Sequence, residues 1–359
     1  HPRCDRSRIA MTGLSGGGCQ TAFLSALDER IAVTVPVAGY GGMTPRIETL
    51  RDLGDLEQVP SDFLTVADYS HVTALFAPRP ALIIYNKQDN CCFLPEHALP
   101  ATYDPVVPIY RLLGAPSEFR YYLNADPGDH NYEQDNREHF YRFLNEHFLS
   151  AEQRLEEEIP CDKELHTREE LYAGVPTGNE TFASLAEKYL AGVSRPAIPA
   201  RSAPEFAAWK EGALARLEKI VKPQEMAFTT EKQEPLSEST LNAMLYCLKS
   251  EDWHLRALLL GKANATLTLV LADEGIASLS GKLDELVAAD GQALAFDPLY
   301  LGANRPGGNR SGALAMVFDA TGARLLGAQA GQIAAVGAWA ATSLHIERIH
   351  LDCTGVNAA

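Results

Sequence analysis

The sequence has no surplus of positive charge. Against 47 Asp and Glu it sets only 31 Lys and Arg, a formal net charge of −16. Nucleic-acid phosphates and anionic lipid headgroups are repelled by such a surface, so neither is an expected partner. Nowhere does the chain hold the roughly 18–20 uninterrupted apolar residues that a membrane-spanning helix needs. Its seven cysteines include no pair of CxxC units and no zinc-type cysteine–histidine spacing, so no metal is expected. Their odd number and the adjacent Cys91-Cys92 do not make a disulfide framework, although one isolated disulfide stays open.

What is there is a globular composition of 359 residues, longer than one average domain, so two domains are expected. A strand-like run begins within a few residues of His1, and the chain stops at Asn357-Ala358-Ala359 directly after another. A slice of a longer protein is therefore expected, and the compartment is not readable from it.

Arg8-Ile9-Ala10-Met11-Thr12 is a short apolar run ending at Gly13, as a buried strand does. Residues 19–27 have helical character and 31–37 are β-branched. Residues 64–76 predict a helix ended by Pro78 and Pro80, and 81–85 a strand. A helix over 106–113, a strand over 118–123 and an amphipathic helix over 137–148 follow, the last with Phe140, Phe143, Leu144 and Phe148 on one face. Strand alternating with helix over 150 residues predicts an α/β fold, a mostly parallel sheet with helices on both faces. Residues 151–224 predict a helical linker, with an acidic helix over 152–158 and another over 206–220. Alternation then returns, with strands at 255–260, 266–271, 293–296 and 346–351 and an Ala/Gly-rich helix at 323–341.

Gly13-Leu14-Ser15-Gly16-Gly17 fits G-x-S-x-G between a predicted strand and a predicted helix. A sharp strand–turn–helix strains the serine and lifts its hydroxyl clear of the sheet, which only small neighbours tolerate. The helix N-terminus and the Gly16 N–H are then placed to stabilise an oxyanion. In this arrangement an acid and a histidine follow the serine, each after a later strand. Asp89 follows the 81–85 strand and His130 the 118–123 strand. Serine alone is a poor nucleophile; it needs His130 as base, and the imidazole needs a carboxylate to fix its tautomer.

Other residues compete for these roles. Asp129 adjoins His130, but neighbours in a tight loop rarely face each other. Asp68 and His71 fall in a predicted helix, His139 and His147 lie on the 137–148 helix, and His97 reads as a surface or packing residue. Cys91 and Cys92 stand on no elbow and are expected to pack beneath the acid loop.

Arg8 through Gly18, Ile84 through Phe93 and Asp126-Pro127-Gly128-Asp129-His130-Asn131 together resemble bacterial α/β-hydrolases of the acetyl xylan esterase and cephalosporin-C deacetylase type, with dienelactone-hydrolase-like relatives. The resemblance covers residues 1–150. It implies Ser15, Asp89 and His130 as a catalytic triad, de-esterification of carbohydrate or other small esters, no cofactor, and a bacterial secreted or periplasmic setting. In that fold, strands and a second oxyanion donor precede the serine; here almost nothing does, which leaves Gly16 as the donor that can be named.

Residues 225–359 read as the missing kind of half. Aligning Arg8-Ile9 with Arg348-Ile349 puts Gly355 where Ser15 stands and Cys353 where Gly13 stands, so the second elbow lacks a nucleophile. The expectation is a catalytic carboxyl-terminal half at 1–150, a linker at 151–224 and a degenerate amino-terminal half at 225–359. An unrelated α/β segment, or sheet completion within or between chains, stays open. So does the function: serine ester hydrolysis, a peptidase or thioesterase on the same triad, or a non-catalytic assembly module.

Overall fold

The structure is a computed structural model that describes residues 4–155, 157–194, 196–236, 242–307 and 310–355. It divides into two compact units, one of His1–Arg154 with Val221–Ala359, the other Leu155–Ile220.

The chain begins with β1 (Ala10–Leu14), α1 (Gly16–Leu27) and β2 (Val33–Val37). An excursion follows, made of α2 (Met43–Glu48), 3₁₀ turns at Leu50–Leu53, Leu56–Gln58 and Phe63–Thr65, and α3 (Tyr69–Ala74). Then come β3 (Ala81–Asn86), α4 (Pro95–Thr102), α5 (Val107–Leu112), β4 (Phe119–Asn124) and α6 (Gln134–Phe148). The four strands form a parallel sheet in the order β1-β2-β3-β4. Period-two alternation explains its two cores. Val33, Val35, Val37, Leu82 and Ile84 face α6 and its Phe143, while Ala81, Ile83 and Tyr85 face the α1 side with Cys19 and Ala22. Both faces are covered, so β2 and β3 are buried along their whole length.

The unit Leu155–Ile220 holds α7 (Arg168–Leu171), α8 (Phe182–Ala191) and most of α9 (Phe206–Val221). Capping boxes Thr167/Glu170 and Thr181/Ser184 start α7 and α8. The acidic helix predicted over 152–158 is not formed among the described residues. A 3₁₀ turn at Ala151–Gln153 stands at its start, and the exposed acidic stretch offers no apolar face to bury.

The remaining elements are β5 (Thr229–Pro235), β6 (Ala243–Lys249), β7 (His254–Leu260), β8 (Thr266–Ala272), α10 (Ser280–Ala288), β9 (Ala293–Phe296), α11 (Arg310–Ala320), α12 (Leu325–Ser343) and β10 (Arg348–Thr354). They form a mixed sheet in the order β10-β8-β9-β7-β6-β5. The first three strands run parallel, and β7, β6 and β5 join antiparallel. Helix α12 covers one face through Val336, Trp339 and Ala340, and α10 the other through Leu283. Helix α11 behaves differently: Val317 and Ala320 are buried in the core of the first sheet, with Leu53 and Phe63.

Candidate active site

Ser15 sits between the last residue of β1 and the first of α1, with φ 56° and ψ −119°. A non-glycine residue with positive φ is uncommon and persists only where its surroundings impose it. Here the Ser15 amide donates to the Val37 carbonyl (3.0 Å), and its carbonyl accepts from the Cys19 amide (2.9 Å). Its side chain does not cap α1, and among the described residues the hydroxyl makes no hydrogen bond. Tight approach explains the flanking glycines. A methyl on Gly13 would come 2.6 Å from the Gly17 carbonyl, and one on Gly18 would come 2.7 Å from the Val37 oxygen and 2.8 Å from Gly39 Cα. Gly17, the last glycine of the motif, would meet nothing within 4 Å. The crossing of α1 over β2 therefore depends on Gly18 and Gly39, and Gly39 is a residue the motif does not reveal.

Asp89 and His130 are brought together. His130 Nδ1 lies 2.8 Å from Asp89 Oδ2, and the carboxylate is fully buried. The other oxygen, Oδ1, accepts from the amides of Cys91 (2.9 Å), Cys92 (3.1 Å) and Phe93 (3.4 Å). Burial works to raise the Asp89 pKa, but the His130 hydrogen bond and these amides outweigh it, and the carboxyl is held below its ordinary value. With Nδ1 engaged, Nε2 is the ring nitrogen left for a reacting group; the side chain is 15% exposed. Arg51 donates to the Asp89 carbonyl (2.8 Å), tying the excursion to the acid loop. The Glu57 carboxylate lies against the elbow, where a methyl on Gly16 would come 3.2 Å from its Oε1.

The histidine loop rests on four buried asparagines that sequence reading missed: Asn86, Asn124, Asn131 and Asn136. Asn124 Oδ1 accepts from the Gly128 amide and from Asn131 Nδ2, both at 3.0 Å. Asn136 Nδ2 donates to Asn86 Oδ1 and to the Asn131 carbonyl, both at 2.9 Å. Networks of this kind rigidify what they hold, although Asn136 Oδ1 is left without a partner among the described residues. The available signal was polar: Asn86 closes the otherwise apolar β3, and Asn124 is the last residue of β4. Arg46 was also missed. It is fully buried over the Tyr69 ring (4.9 Å) and donates to the Gln58 carbonyl (2.7 Å).

The competitors have other partners. Asp129 is exposed, and its carbonyl accepts from Asn131 (2.8 Å). Asp68 is not inside a helix, because the stretch predicted over 64–76 breaks before α3. There Asp68 is the N-cap, accepting from the amides of Tyr69 (2.6 Å) and Met43 (3.0 Å). His71 accepts from the Asp68 amide (3.0 Å), and His97 pairs with Asp52. His139 stacks on Tyr122, and His147 lies 3.7 Å from Glu118. All seven cysteines are free. Cys91 is exposed rather than packed beneath the acid loop, because it is the backbone of this pair, not its side chains, that holds Asp89. Among the described residues no group of three or more His, Cys, Asp or Glu is placed to hold a metal ion, and no helix is long and apolar enough to cross a membrane.

The end of β10 offers no counterpart of Ser15 among the described residues. A methyl on Gly355 would come 2.3 Å from Asp273 Cγ, so the carboxyl group of Asp273 closes the space beside it. In a register two residues later, Thr354-Gly355 falls on Thr12-Gly13, and the residue opposite Ser15 is Asn357, outside the described residues. Neither register places a serine there.

Four parallel strands flanked by helices, with a strained Ser15 at the β1–α1 turn, Asp89 after β3 and His130 after β4, make an α/β fold that gathers these three residues at one end of the sheet. No protein-family model matches the chain, and no curated protein matches it. Solved structures do show likeness. A Bacteroides fragilis protein assigned as an acetyl xylan esterase is 17% identical, with a TM-score of 0.38 over 50% of this chain and 56% of that one. A glucuronoyl esterase from Solibacter usitatus is 16% identical, with a TM-score of 0.30 over 39% and 42%. An acylaminoacyl peptidase from Pyrococcus horikoshii is 18% identical, with a TM-score of 0.29 over 45% and 27%. The chain thus spans little more than half of the first and less of the others. At these scores the fold rests on the chain's own topology.

Proposed function

We propose that residues 1–150 carry the catalytic machinery of a serine carboxylic-ester hydrolase working through an acyl-enzyme. The observation that supports it best is the buried Asp89–His130 pair, which leaves Nε2 free at the same sheet end as a strained serine hydroxyl that no other group uses. His130 Nε2 takes the Ser15 proton as Oγ attacks the ester carbonyl. The Gly16 amide at the α1 N-terminus donates to the oxyanion. His130 passes the proton to the leaving alcohol, then activates water to release the acid. The Ser15 hydroxyl closes on His130 when substrate arrives, since catalytic hydrogen bonds are often long before binding.

Small esters, acetylated sugars among them, are the proposed substrates. We read residues 225–359 as the amino-terminal type of half from a second, silent domain in a tandem arrangement. Its edge strand β10 aligns with β1 and ends on Gly355 against Asp273. The test is hydrolysis of an aryl acetate and an acetylated xylo-oligosaccharide by wild type and Ser15→Ala. Turnover that falls by at least ~10³-fold in the variant supports the reading. Equal turnover in both, or none in wild type, refutes it.

A further inference from the structure

The excursion between β2 and β3 is held from outside its own half. Asp62, at its tip, accepts from Arg324 Nη1 (3.0 Å) and Nη2 (2.8 Å) and from Lys222 Nζ (2.8 Å). Its amide donates to the Asp319 carbonyl (2.9 Å), and Ser61 Oγ donates to the Asp319 carboxylate. Arg324 also pairs with Asp319 (3.0 Å), and a methyl on Gly322 would come 2.5 Å from Thr65 Cγ2. The two cations hold the Asp62 carboxyl down to about 2, so the cluster stays charged at any ordinary pH. Beside this cluster α11 packs on the 3₁₀ turns at Leu50–Leu53 and Phe63–Thr65, burying Val317 and Ala320 with Leu53 and Phe63. The segment so gripped is the one whose Arg51 bonds the Asp89 carbonyl and whose Glu57 lies against Gly16.

We propose that residues 310–324 of the silent half are a built-in positioning element for the serine site, fixing the 50–65 segment so that Arg51 and Glu57 meet the acid loop and the elbow. This assigns a task to a half with no nucleophile, and it rests on the serine reading of Ser15, Asp89 and His130. Arg324 is a positioning residue; it touches no reacting atom. A lone, part-exposed ion pair contributes little to global stability. A bidentate pair within a cluster that also buries apolar side chains still sets where one loop sits. Loosening it moves the site without unfolding the sheet.

The test uses the full chain as wild type, Arg324→Ala and Arg324→Lys. Hydrogen exchange is read in residues 50–65 and, as a check on the fold, in β3. The rate of labelling by a fluorophosphonate is read alongside kcat and KM for an aryl acetate. For Arg324→Ala, exchange in 50–65 quickens about tenfold with β3 unchanged, and labelling slows about tenfold. Arg324→Lys recovers only part of both, because it restores the charge but not the fork that holds both Asp62 oxygens. Faster exchange with an unchanged labelling rate overturns the proposal, and so does unchanged exchange. Absence of labelling in wild type fails the serine reading first, and this proposal with it.

Discussion

Asp89 divides its two carboxylate oxygens between two tasks. Oδ1 is held by the amides of Cys91, Cys92 and Phe93, and Oδ2 holds His130 in the orientation that frees Nε2. Asp89→Asn keeps the shape but offers the wrong group to Nδ1–H, so kcat should fall by about 10⁴-fold with KM little changed. The same residue links stability to pH. A carboxyl held below its ordinary value of 3.8 gives stability that is complete above that value and lost as pH falls through the lowered native pKa. Acid unfolding followed by circular dichroism should therefore show wild type losing more stability below pH 3.8 than Asp89→Asn. Equal losses would show that the pair does not exist in solution.

Among the elements, α6 ties the histidine loop to the sheet. Phe143 is 2% exposed and packs against Val33, Val35, Val37, Leu82 and Ile84. Phe143→Ala should destabilise the first sheet by about 3–5 kcal/mol, read as a fall in urea midpoint at constant slope. Strands β1 to β4 were legible because short runs that are apolar, β-branched or aromatic, bounded by Gly, Pro or Asn, favour strand over helix. The amphipathic α6 was legible too, though it starts at Gln134 rather than Arg137. Helix α4 was not, since it is short and carries Pro95 at its start and Pro100 inside it. The break at Asp68 was missed because a capping residue and an interior one look alike without the Met43 amide it meets. Ser15, Asp89 and His130 could be named from order and loop position. Gly39 and Arg51 could not, since each acts on a partner distant in sequence, and the asparagines could not be read as one network because Asn136 meets Asn86 across the sheet end.

At the scale of the molecule, the two sheets end differently. One carries a strained serine and an ordered acid–histidine pair; the other ends on a glycine pressed against Asp273. A net charge of −16 makes polyanions such as nucleic acid unfavourable partners. The central claim is that Ser15 is the one activated nucleophile. Mass mapping of the chain after fluorophosphonate treatment tests it most directly. A single adduct is expected on the peptide holding Ser15, absent in Ser15→Ala and formed far more slowly in His130→Ala. An adduct on another residue, labelling that persists in Ser15→Ala, or no adduct in wild type would contradict it.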